Sequence, residues 1–377
     1  MRAMLRCHRA ALIGLVILVL AGCAAKQATT LDATEVGEQI RQRYDAALMT
    51  LPAERQRHYA QRLYRITGDD KYLALNQEYG ERLVASLGDE IRALADPGYP
   101  LRRGRQMGDD YVVKTRKQRR RKQLLGQWPE EAYARRLAFE LTQARYHGLL
   151  NDTDLPGHRR ALDYLASVDF EPFLTDPKAI DIYAAQLANL AYYLHGLGVA
   201  DLRRQTEAAF QTHYPLHGVA LLNEAAYRNR LYGMTHFVIA ASEYYQCQVD
   251  AEDFAWVLDA FESELSRILA TKADIYTEVG ISFLLAGQGD GPANSPALDA
   301  IRKALVAAYD PEAGMIPGED GDTDLAGGEH RNVLAIMLLG WPERLYPGPW
   351  LSTAASAMSP AAETTTPRVC ATRGVVE

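Results

Sequence analysis

Cysteine is scarce in this sequence of 377 residues, and its four copies show no metal-binding pattern. There is no CxxC pair and no cysteine–histidine spacing of the zinc-binding kind. A phosphate-binding loop, a dinucleotide-binding glycine fingerprint, a GxSxG elbow and an HExxH pair are also missing. These absences disfavour nucleotide-dependent chemistry, serine-esterase chemistry and the common zinc-protease mechanism.

Strand patterns are missing as well, because apolar and polar residues do not alternate with a period of two. Instead, apolar residues recur with the spacing of an amphipathic helix. The clearest stripe is Phe254, Val257, Leu258, Phe261, Leu265 and Ile268. The sequence therefore predicts an all-α fold of roughly twelve to fourteen helices joined by short turns.

Long apolar runs are absent except near the start, where residues 11–20 (ALIGLVILVL) are apolar throughout. As a helix, this run would reach about 15 Å, which is half of a hydrocarbon core of roughly 30 Å. Three arginines and no acidic residue precede it, and small residues follow it. This order predicts a secretory signal peptide over residues 1–22.

The segment ends in Leu20-Ala21-Gly22-Cys23, which closely resembles the bacterial lipobox. The resemblance implies cleavage before Cys23 and acylation of that cysteine, so that the chain is anchored in a membrane by its lipid. By the same resemblance, Ala24 rather than aspartate implies the periplasmic side of the outer membrane. We expect a lipidated tether over residues 23–33 and a helical domain over residues 34–351.

The remaining composition limits the partners and leaves one disulfide question open. Loss of residues 1–22 removes three arginines, so the formal charge moves from −7 to −10 and nucleic-acid binding is not expected. Residues 352–377 are rich in alanine, serine, threonine and proline, which predicts a disordered tail. Cys370 of this tail can pair with Cys247 after export, but two cysteines at this spacing do not make a disulfide framework.

A glycine followed by an acidic residue marks several predicted turns. The first turn is TGDDKYL at residues 67–73, and looser copies follow Tyr193 and Tyr245. Glycine suits the position after a helix, and aspartate caps the next one. The rhythm resembles the (α/α) toroid families of the six-hairpin glycosidase type, which include many glycoside hydrolases and polysaccharide lyases. The resemblance implies helical hairpins arranged as a toroid or partial toroid.

A second resemblance covers about a third of the chain, residues 227–351. The segments YGMTHFVIAASEYY, DIYTEVGISFLLAG and HRNVLAIMLLGWPERLYPGP look like those of a family of proteobacterial lipoproteins without an assigned activity. This likeness agrees with the lipobox in placing the chain in the envelope. It implies no reaction, and fold likeness alone does not determine function.

Polar residues just before apolar helical stretches are the candidate site, because the starts of inner helices face the cleft of a toroid. We expect His236, Glu278 and His330 to converge there, with Glu278 as general acid or base and a histidine as its partner. The second carboxylate of such a site is Glu329, Asp274 or Asp181. The substrate-binding candidates are Tyr183, Tyr232, Tyr276 and Asn332. Ordinary capping and core roles are the alternative for all of these residues.

Metal binding is a weaker expectation. Two histidines and a glutamate can ligate a metal, but no local pair supports this, so we predict no metal at the cleft. Asp320, Asp322 and Asp324 alternate as in calcium loops, although the EF-hand pattern fails at Leu325 and Arg331. A solvated surface loop that can close over the cleft is favoured over a calcium site. The basic run at residues 114–122 is interpreted as a solvated helix, with anionic polymers or lipid headgroups as alternative ligands.

Together these features predict an envelope lipoprotein that binds or cleaves cell-envelope polysaccharide in a central cleft. If it is an enzyme, glycoside hydrolysis or β-elimination of a polysaccharide fits best. The alternative is a non-enzymatic helical scaffold that binds another envelope protein. An enzyme should show cleft residues with unsatisfied polar atoms, and a scaffold should show an exposed apolar patch.

Overall fold

The structure is a computed structural model that describes residues 32–289, 295–352 and 368–370. The predicted signal peptide, the lipidation site Cys23 and most of the predicted tail lie outside these residues. The described residues belong to one compact unit. None of the helices in this part of the chain is both long and apolar enough to cross a membrane.

The described residues form an all-α fold, as the periodicity predicts, with more helices than the twelve to fourteen expected. The sixteen α-helices are α1 Ala33–Ala47, α2 Ala53–Thr67, α3 Leu73–Ala93, α4 Tyr99–Asp109, α5 Arg116–Gln127, α6 Pro129–Tyr146, α7 His158–Ser167, α8 Glu171–Thr175, α9 Pro177–Gly196, α10 Arg203–His213, α11 Glu224–Ala241, α12 Ala255–Ser263, α13 Leu265–Leu269, α14 Ala273–Leu285, α15 Pro296–Ala308 and α16 Leu325–Leu339. Short 3-10 turns lie at Leu48–Thr50, Asp70–Tyr72, Leu216–Leu221 and Ala251–Phe254.

Side-chain caps explain where several helices begin. Asp176, Asn223 and Asp324 each accept a hydrogen bond from a backbone N–H in the first turn of α9, α11 and α16. At the first predicted turn, Gly68 ends α2 in the left-handed region (φ 66°), and Asp69 accepts from the backbone N–H of Lys71. The predicted glycine–acid turn is therefore confirmed at this position.

Six helices contact one another in succession. α9 lies against α6 and α11, α11 against α14, α14 against α16, and α16 against α2. A side-chain hydrogen bond of 3.0 Å from Gln61 to Gln143 links α2 to α6, the two helices at the ends of this succession. All residues from Ile275 to Leu285 of α14 are buried, as expected for a helix covered on every side.

Other helices pack against these six. α1 lies on α16 and α15, α3 on α2 and α6, α10 and α8 on α9, and α13 and α15 on α14. The core consists of the apolar side chains between the two sets of helices. The site described below is formed by polar side chains of α2, α9, α11, α14 and α16.

The predicted disordered tail contains one ordered contact. Residues 368–370 lie beside Gln248 in an isolated parallel bridge, with backbone hydrogen bonds of 2.9 and 2.8 Å. Cys370 forms a disulfide with Cys247, which settles the pairing that the sequence leaves open. A covalent bond to buried Cys247, six residues beyond the end of α11, holds this part of the tail in place, although its composition predicts disorder.

Candidate active site

Glu278 of α14 lies at the centre of the candidate site, with both predicted histidines beside it. Its side chain is buried, and its Oε1 atom lies 3.5 Å from Nε2 of His330 and 4.0 Å from Nε2 of His236. Its Oε2 atom accepts a hydrogen bond of 2.8 Å from the hydroxyl of Thr235. The structure therefore brings together His236, Glu278 and His330, three residues that are far apart in the sequence.

His236 reaches this position in a way that the sequence reasoning did not expect. The segment from Tyr232 to His236 lies in the middle of α11, because Asn223 caps this helix nine residues before Tyr232. Gly233 allows close packing at this point of the helix. A Cβ atom there would lie 2.4 Å from the ring of Phe210. The prediction of a helix start was wrong here, since the glycine serves helix–helix contact.

A second buried carboxylate, Glu329 of α16, completes the site. Its Oε1 atom lies 2.7 Å from Nδ1 of His58 on α2, and its Oε2 atom lies 3.7 Å from the guanidinium of Arg55. The Oε2 atom is buried and has no hydrogen-bond partner. The rings of His58 and His330 are 5.3 Å apart, so the two carboxylates are connected through two imidazoles.

Of the three carboxylates that the sequence offers as partners of Glu278, the structure favours Glu329. Asp274 accepts a hydrogen bond of 2.6 Å from the hydroxyl of Tyr232, and Asp181 pairs with Arg120. Both therefore have partners outside the histidine cluster. Of the three, Glu329 joins that cluster, and its buried Oε2 atom accepts no hydrogen bond.

The two buried carboxylates have pKa values that move in opposite directions. Burial with little hydration raises the pKa of Glu329 to about 7, although nearby arginines and His330 oppose this. Burial alone would also raise the pKa of Glu278, but the contacts with His330 and His236 outweigh it and lower the pKa. At neutral pH the carboxyl group of Glu329 thus holds a proton for much of the time, while that of Glu278 is ionised.

The histidines of the site differ from a structural histidine in exposure and bonding. The side chains of His58, His236 and His330 are 17%, 19% and 36% exposed. His147, by contrast, is fully buried, and both of its ring nitrogens have partners. Burial is the main cause that lowers the pKa of His58 and of His236, so both imidazoles are neutral at neutral pH. Neutral, partly exposed imidazoles can accept or relay a proton.

The side-chain amide of Asn189 orients one of these rings. The Nδ1 atom of His236 lies 2.9 Å from Oδ1 of Asn189 on α9, and a carbonyl oxygen can only accept. Nδ1 therefore carries the hydrogen, which leaves the lone pair of Nε2 directed towards Glu278. The amide of Asn189 thus selects the tautomer of His236.

Backbone strain accumulates at one wall of the site. Glu243, Tyr244 and Tyr245 have φ angles of 52°, 59° and 70°, which non-glycine residues rarely adopt. Such conformations cost on the order of 1 kcal/mol or more each and persist where the surroundings enforce them. Here Arg65 donates a hydrogen bond of 2.8 Å to the carbonyl of Tyr244. The strained turn places the ring of Tyr244 6.4 Å from the ring of His236.

The predicted substrate-binding residues are not gathered in one place. Tyr232 lies close to Glu278 through Asp274, while Tyr183 lies beneath two arginines at a kink of α9. Tyr276 is buried and is two residues from Glu278, so it lies on another face of α14. Asn332 is fully buried, and its amide bonds the backbone of Ile316 and Gly328. Asn332 therefore has no group free for a ligand.

The acidic loop uses its carboxylates for its own turns. Asp324 caps α16, Asp322 accepts from the backbone N–H of Asp324, and Asp320 accepts from that of Asp322. Glu319 of the same loop pairs with Lys272, at the start of α14. Asp320, Asp322 and Asp324 thus each have a structural role in the turns of this loop.

One group of potential metal ligands lies close together in the part of the chain that the structure describes. It consists of Glu243, Cys247 and Cys370, whose ligand atoms lie within 4.8 Å of one another. The two cysteines form the disulfide, so they offer no thiolate.

His58 and its neighbours on α2 were missed by the sequence reasoning. His58, Arg62 and Arg65 follow at i, i+4 and i+7, so they form a polar stripe along one helix face. A polar stripe normally indicates the solvent side of a helix. Here Arg62 and Arg65 are buried, and the stripe faces the site. The available signal was three polar residues at helical spacing, but the sequence does not distinguish a cleft from solvent.

Comparisons with known proteins place the chain in a family but indicate no reaction. The chain matches no curated protein. No solved structure matches it either. One family model, described as a domain of unknown function (DUF3541), matches residues 33–368. Since this match covers most of the sequence, the chain belongs to the DUF3541 family.

Proposed function

We propose that this protein is an envelope enzyme that cleaves a polysaccharide by general acid–base catalysis in the histidine–carboxylate site. One observation carries the proposal, namely two buried carboxylates in one site with pKa values shifted in opposite directions. Such a pair can supply a proton to the bond that breaks and accept one from the attacking or reacting group. The buried Oε2 atom of Glu329, which accepts no hydrogen bond, supports a site shaped for function.

The division of roles follows from the contacts. Glu278, which is ionised at neutral pH, accepts a proton directly or through His330 at 3.5 Å. The Glu329–His58 pair shares one hydrogen across 2.7 Å and supplies a proton, since the pKa of Glu329 is near neutrality. The partly exposed imidazoles are the groups that meet the substrate, and the buried carboxylates exchange protons with them. Hydrolysis and β-elimination both use this pair of functions.

The helix contacts support a toroidal arrangement for this site. α2, α6, α9, α11, α14 and α16 contact one another in order, and the hydrogen bond from Gln61 to Gln143 joins the two ends of that series. The other helices lie behind them. We propose that the six form the inner ring of an (α/α) toroid, whose centre is the cleft. Inner-ring helices supply Glu278, Glu329 and all three histidines of the site.

We further propose that the protein is lipid-anchored through Cys23 on the periplasmic side of the outer membrane. The lipobox resemblance is the basis of this proposal. The Cys247–Cys370 disulfide supports it, because structural disulfides are typical of proteins exported to an oxidising compartment.

A scaffold function is the alternative, and one observation favours it. Leu216 and Leu221, in the 3-10 turn before α11, are 64% and 89% exposed. Exposed large apolar residues of this kind often mark a protein-binding surface. Under this alternative the protein binds another envelope protein there, and the histidine–carboxylate site has no catalytic role.

The full chain should be tested for release of reducing ends from a panel of envelope and extracellular polysaccharides. Ultraviolet absorbance of an unsaturated product separates elimination from hydrolysis. We expect Glu278→Gln and Glu329→Gln each to lower the rate by on the order of 100-fold or more. Glu90→Gln is the matched control, since Glu90 is a buried carboxylate that pairs with Arg136 and Tyr99. Equal rates for the parent and both site variants on every cleaved glycan, or no cleavage of any glycan, would overturn the proposal in favour of a scaffold.

A further inference from the structure

Four arginines on α2, α5 and α6 have their guanidinium groups over tyrosine rings rather than against a carboxylate. Among the described residues, no carboxylate lies within 4 Å of the guanidinium groups of Arg57, Arg62, Arg121 or Arg135, whereas buried Arg230 pairs with Glu264 at 2.9 Å. The four guanidinium groups are instead stacked over tyrosine rings. The pairs and their distances are Arg57 with Tyr79 at 4.9 Å, Arg62 with Tyr245 at 5.6 Å, Arg121 with Tyr183 at 5.1 Å and Arg135 with Tyr183 at 5.3 Å.

Arg62 is the most informative of the four, because it is 7% exposed and its Nε–H has no hydrogen-bond partner. It donates a long hydrogen bond of 3.4 Å to the carbonyl oxygen of His58. A buried guanidinium with an unused donor is costly unless a ligand completes it. Since Arg62 follows His58 by one helical turn, the unused donor is adjacent to the reactive groups.

An aromatic series connects Arg62 to Arg135. Tyr245, under Arg62, contacts Tyr244 at 6.2 Å, and Tyr244 stacks on Tyr193 at 6.1 Å. Tyr193 in turn contacts Phe139, which lies one turn after Arg135 on α6. These ring contacts extend from the ring under Arg62 to α6, the helix that carries Arg135, and we call this series with its arginines the cationic line.

The basic segment identified in the sequence continues this line. Arg121 belongs to α5, which lies against α6 and α9, and its guanidinium shares the ring of Tyr183 with that of Arg135. The Nε–H groups of Arg121 and Arg135 also have no hydrogen-bond partner. The basic run is thus more than a solvated helix, because one of its arginines extends the cationic line.

We propose that the arginines of this cationic line bind an acidic polysaccharide whose sugars carry carboxylates, with the guanidinium groups on the carboxylates. Guanidinium groups match carboxylates in geometry, and the buried rings of Tyr183 and Tyr245 beneath them hold the guanidinium groups in position. The formal charge of the chain is −7, so the cationic line is a local feature that attracts a polyanion to an otherwise acidic protein. This inference rests on the proposed function and specifies its substrate class.

The test measures binding of the full chain to matched oligosaccharides by calorimetry at low and moderate salt. The probes are oligomers of galacturonate, glucuronate and mannuronate, their carboxyl-reduced counterparts of equal length, and a sulfated oligosaccharide. We expect at least one hexuronate oligomer to bind, and its carboxyl-reduced form to bind at least about tenfold more weakly. The hexuronate affinity should also decrease as salt rises.

Arginine variants locate the binding. Arg62→Gln and Arg135→Gln should each weaken hexuronate binding by on the order of tenfold or more, while Arg92→Gln, which removes an exposed charge paired with Asp89, should not. Arg57→Gln substitutes for Arg62→Gln if the latter lowers the thermal midpoint strongly.

The outcomes separate this inference from the proposed function. Equal binding of hexuronate and carboxyl-reduced oligomers, no binding of any hexuronate, or preference for the sulfated probe would overturn the inference. Binding that depends on the arginines but is followed by no cleavage supports the inference and contradicts the enzyme. Cleavage of neutral glycans alone supports the enzyme and contradicts the inference.

Discussion

Substitution of Glu329 by glutamine tests the central electrostatic feature of the site. Burial raises the pKa of Glu329 from 4.5 to about 7, a difference that corresponds to about 3 kcal/mol in the free energy of unfolding. Because the folded state binds this proton more tightly than the unfolded state, the stabilisation is complete below pH 4.5. It is lost as the pH rises towards about 7. Above that pH the folded protein contains a buried, ionised Glu329.

Glutamine cannot ionise, so the variant avoids this cost. We expect Glu329→Gln to have nearly the parent stability at about pH 5 and to be more stable than the parent by up to about 3 kcal/mol at about pH 8. Denaturant unfolding at several pH values measures this difference. Other titrating groups are common to both proteins and largely cancel. Any constant change from the altered contact with His58 would appear equally at every pH, so the pH dependence of the difference is the diagnostic quantity.

Glu90→Gln provides a control of opposite sign. Glu90 is buried like Glu329, but it accepts hydrogen bonds from Arg136 and from the hydroxyl of Tyr99. Loss of its charge should therefore destabilise the protein at both pH values. If the stability difference between Glu329→Gln and the parent does not change between about pH 5 and pH 8, Glu329 does not titrate near neutrality and the reasoning fails.

Three further predictions concern packing and cross-linking. Gly104→Ala should lower the free energy of unfolding by at least about 2 kcal/mol, because its Cβ would lie 1.6 Å from a backbone carbonyl oxygen at the start of α6. Gly108→Ala on the same helix meets open space, so it should be neutral or slightly stabilising. Thermal melts of the two variants compare them directly. Cys370→Ser should lose about 2–4 kcal/mol through loss of the bond to Cys247, and a reducing agent should lower the midpoint of the parent but not of the variant. Asn332→Ala removes three hydrogen bonds and should cost about 2–3 kcal/mol by denaturant unfolding, with unchanged affinity for any glycan that binds; a large affinity loss would show that Asn332 has a binding role.

Much of the fold was predictable, because its signals are local. Period-3.6 apolar stripes predict helices, and a glycine with a following aspartate predicts the turn at Gly68 and Asp69. Helix number and boundaries were less predictable. The sequence predicts a helix start at Tyr232 to His236, because it does not show that Gly233 packs against Phe210 within a helix.

The candidate site was predictable in part. His236, Glu278 and His330 each occur beside apolar helical stretches, so the sequence indicated them. The structure places the Nε2 atom of each histidine within 4.0 Å of a carboxylate oxygen of Glu278. His58 and Arg62 were not indicated, because a polar stripe on a helix looks the same whether it faces solvent or a cleft. The roles of Glu329 and of the arginines depend on which neighbours each side chain lacks, and no sequence pattern encodes that.

The sequence by itself determined the helical class, the capped turns and three members of the site, because each follows from residues within a few helical turns. Only the tertiary structure decided which carboxylate is ionised. Glu329 contacts His58, which is 271 positions away in the chain, and burial at that contact raises the pKa of Glu329. The contacts of Glu278 with His330 and His236 lower the pKa of Glu278. A pKa depends on hydration and on all nearby charges. Both are properties of helices that meet only in the folded chain.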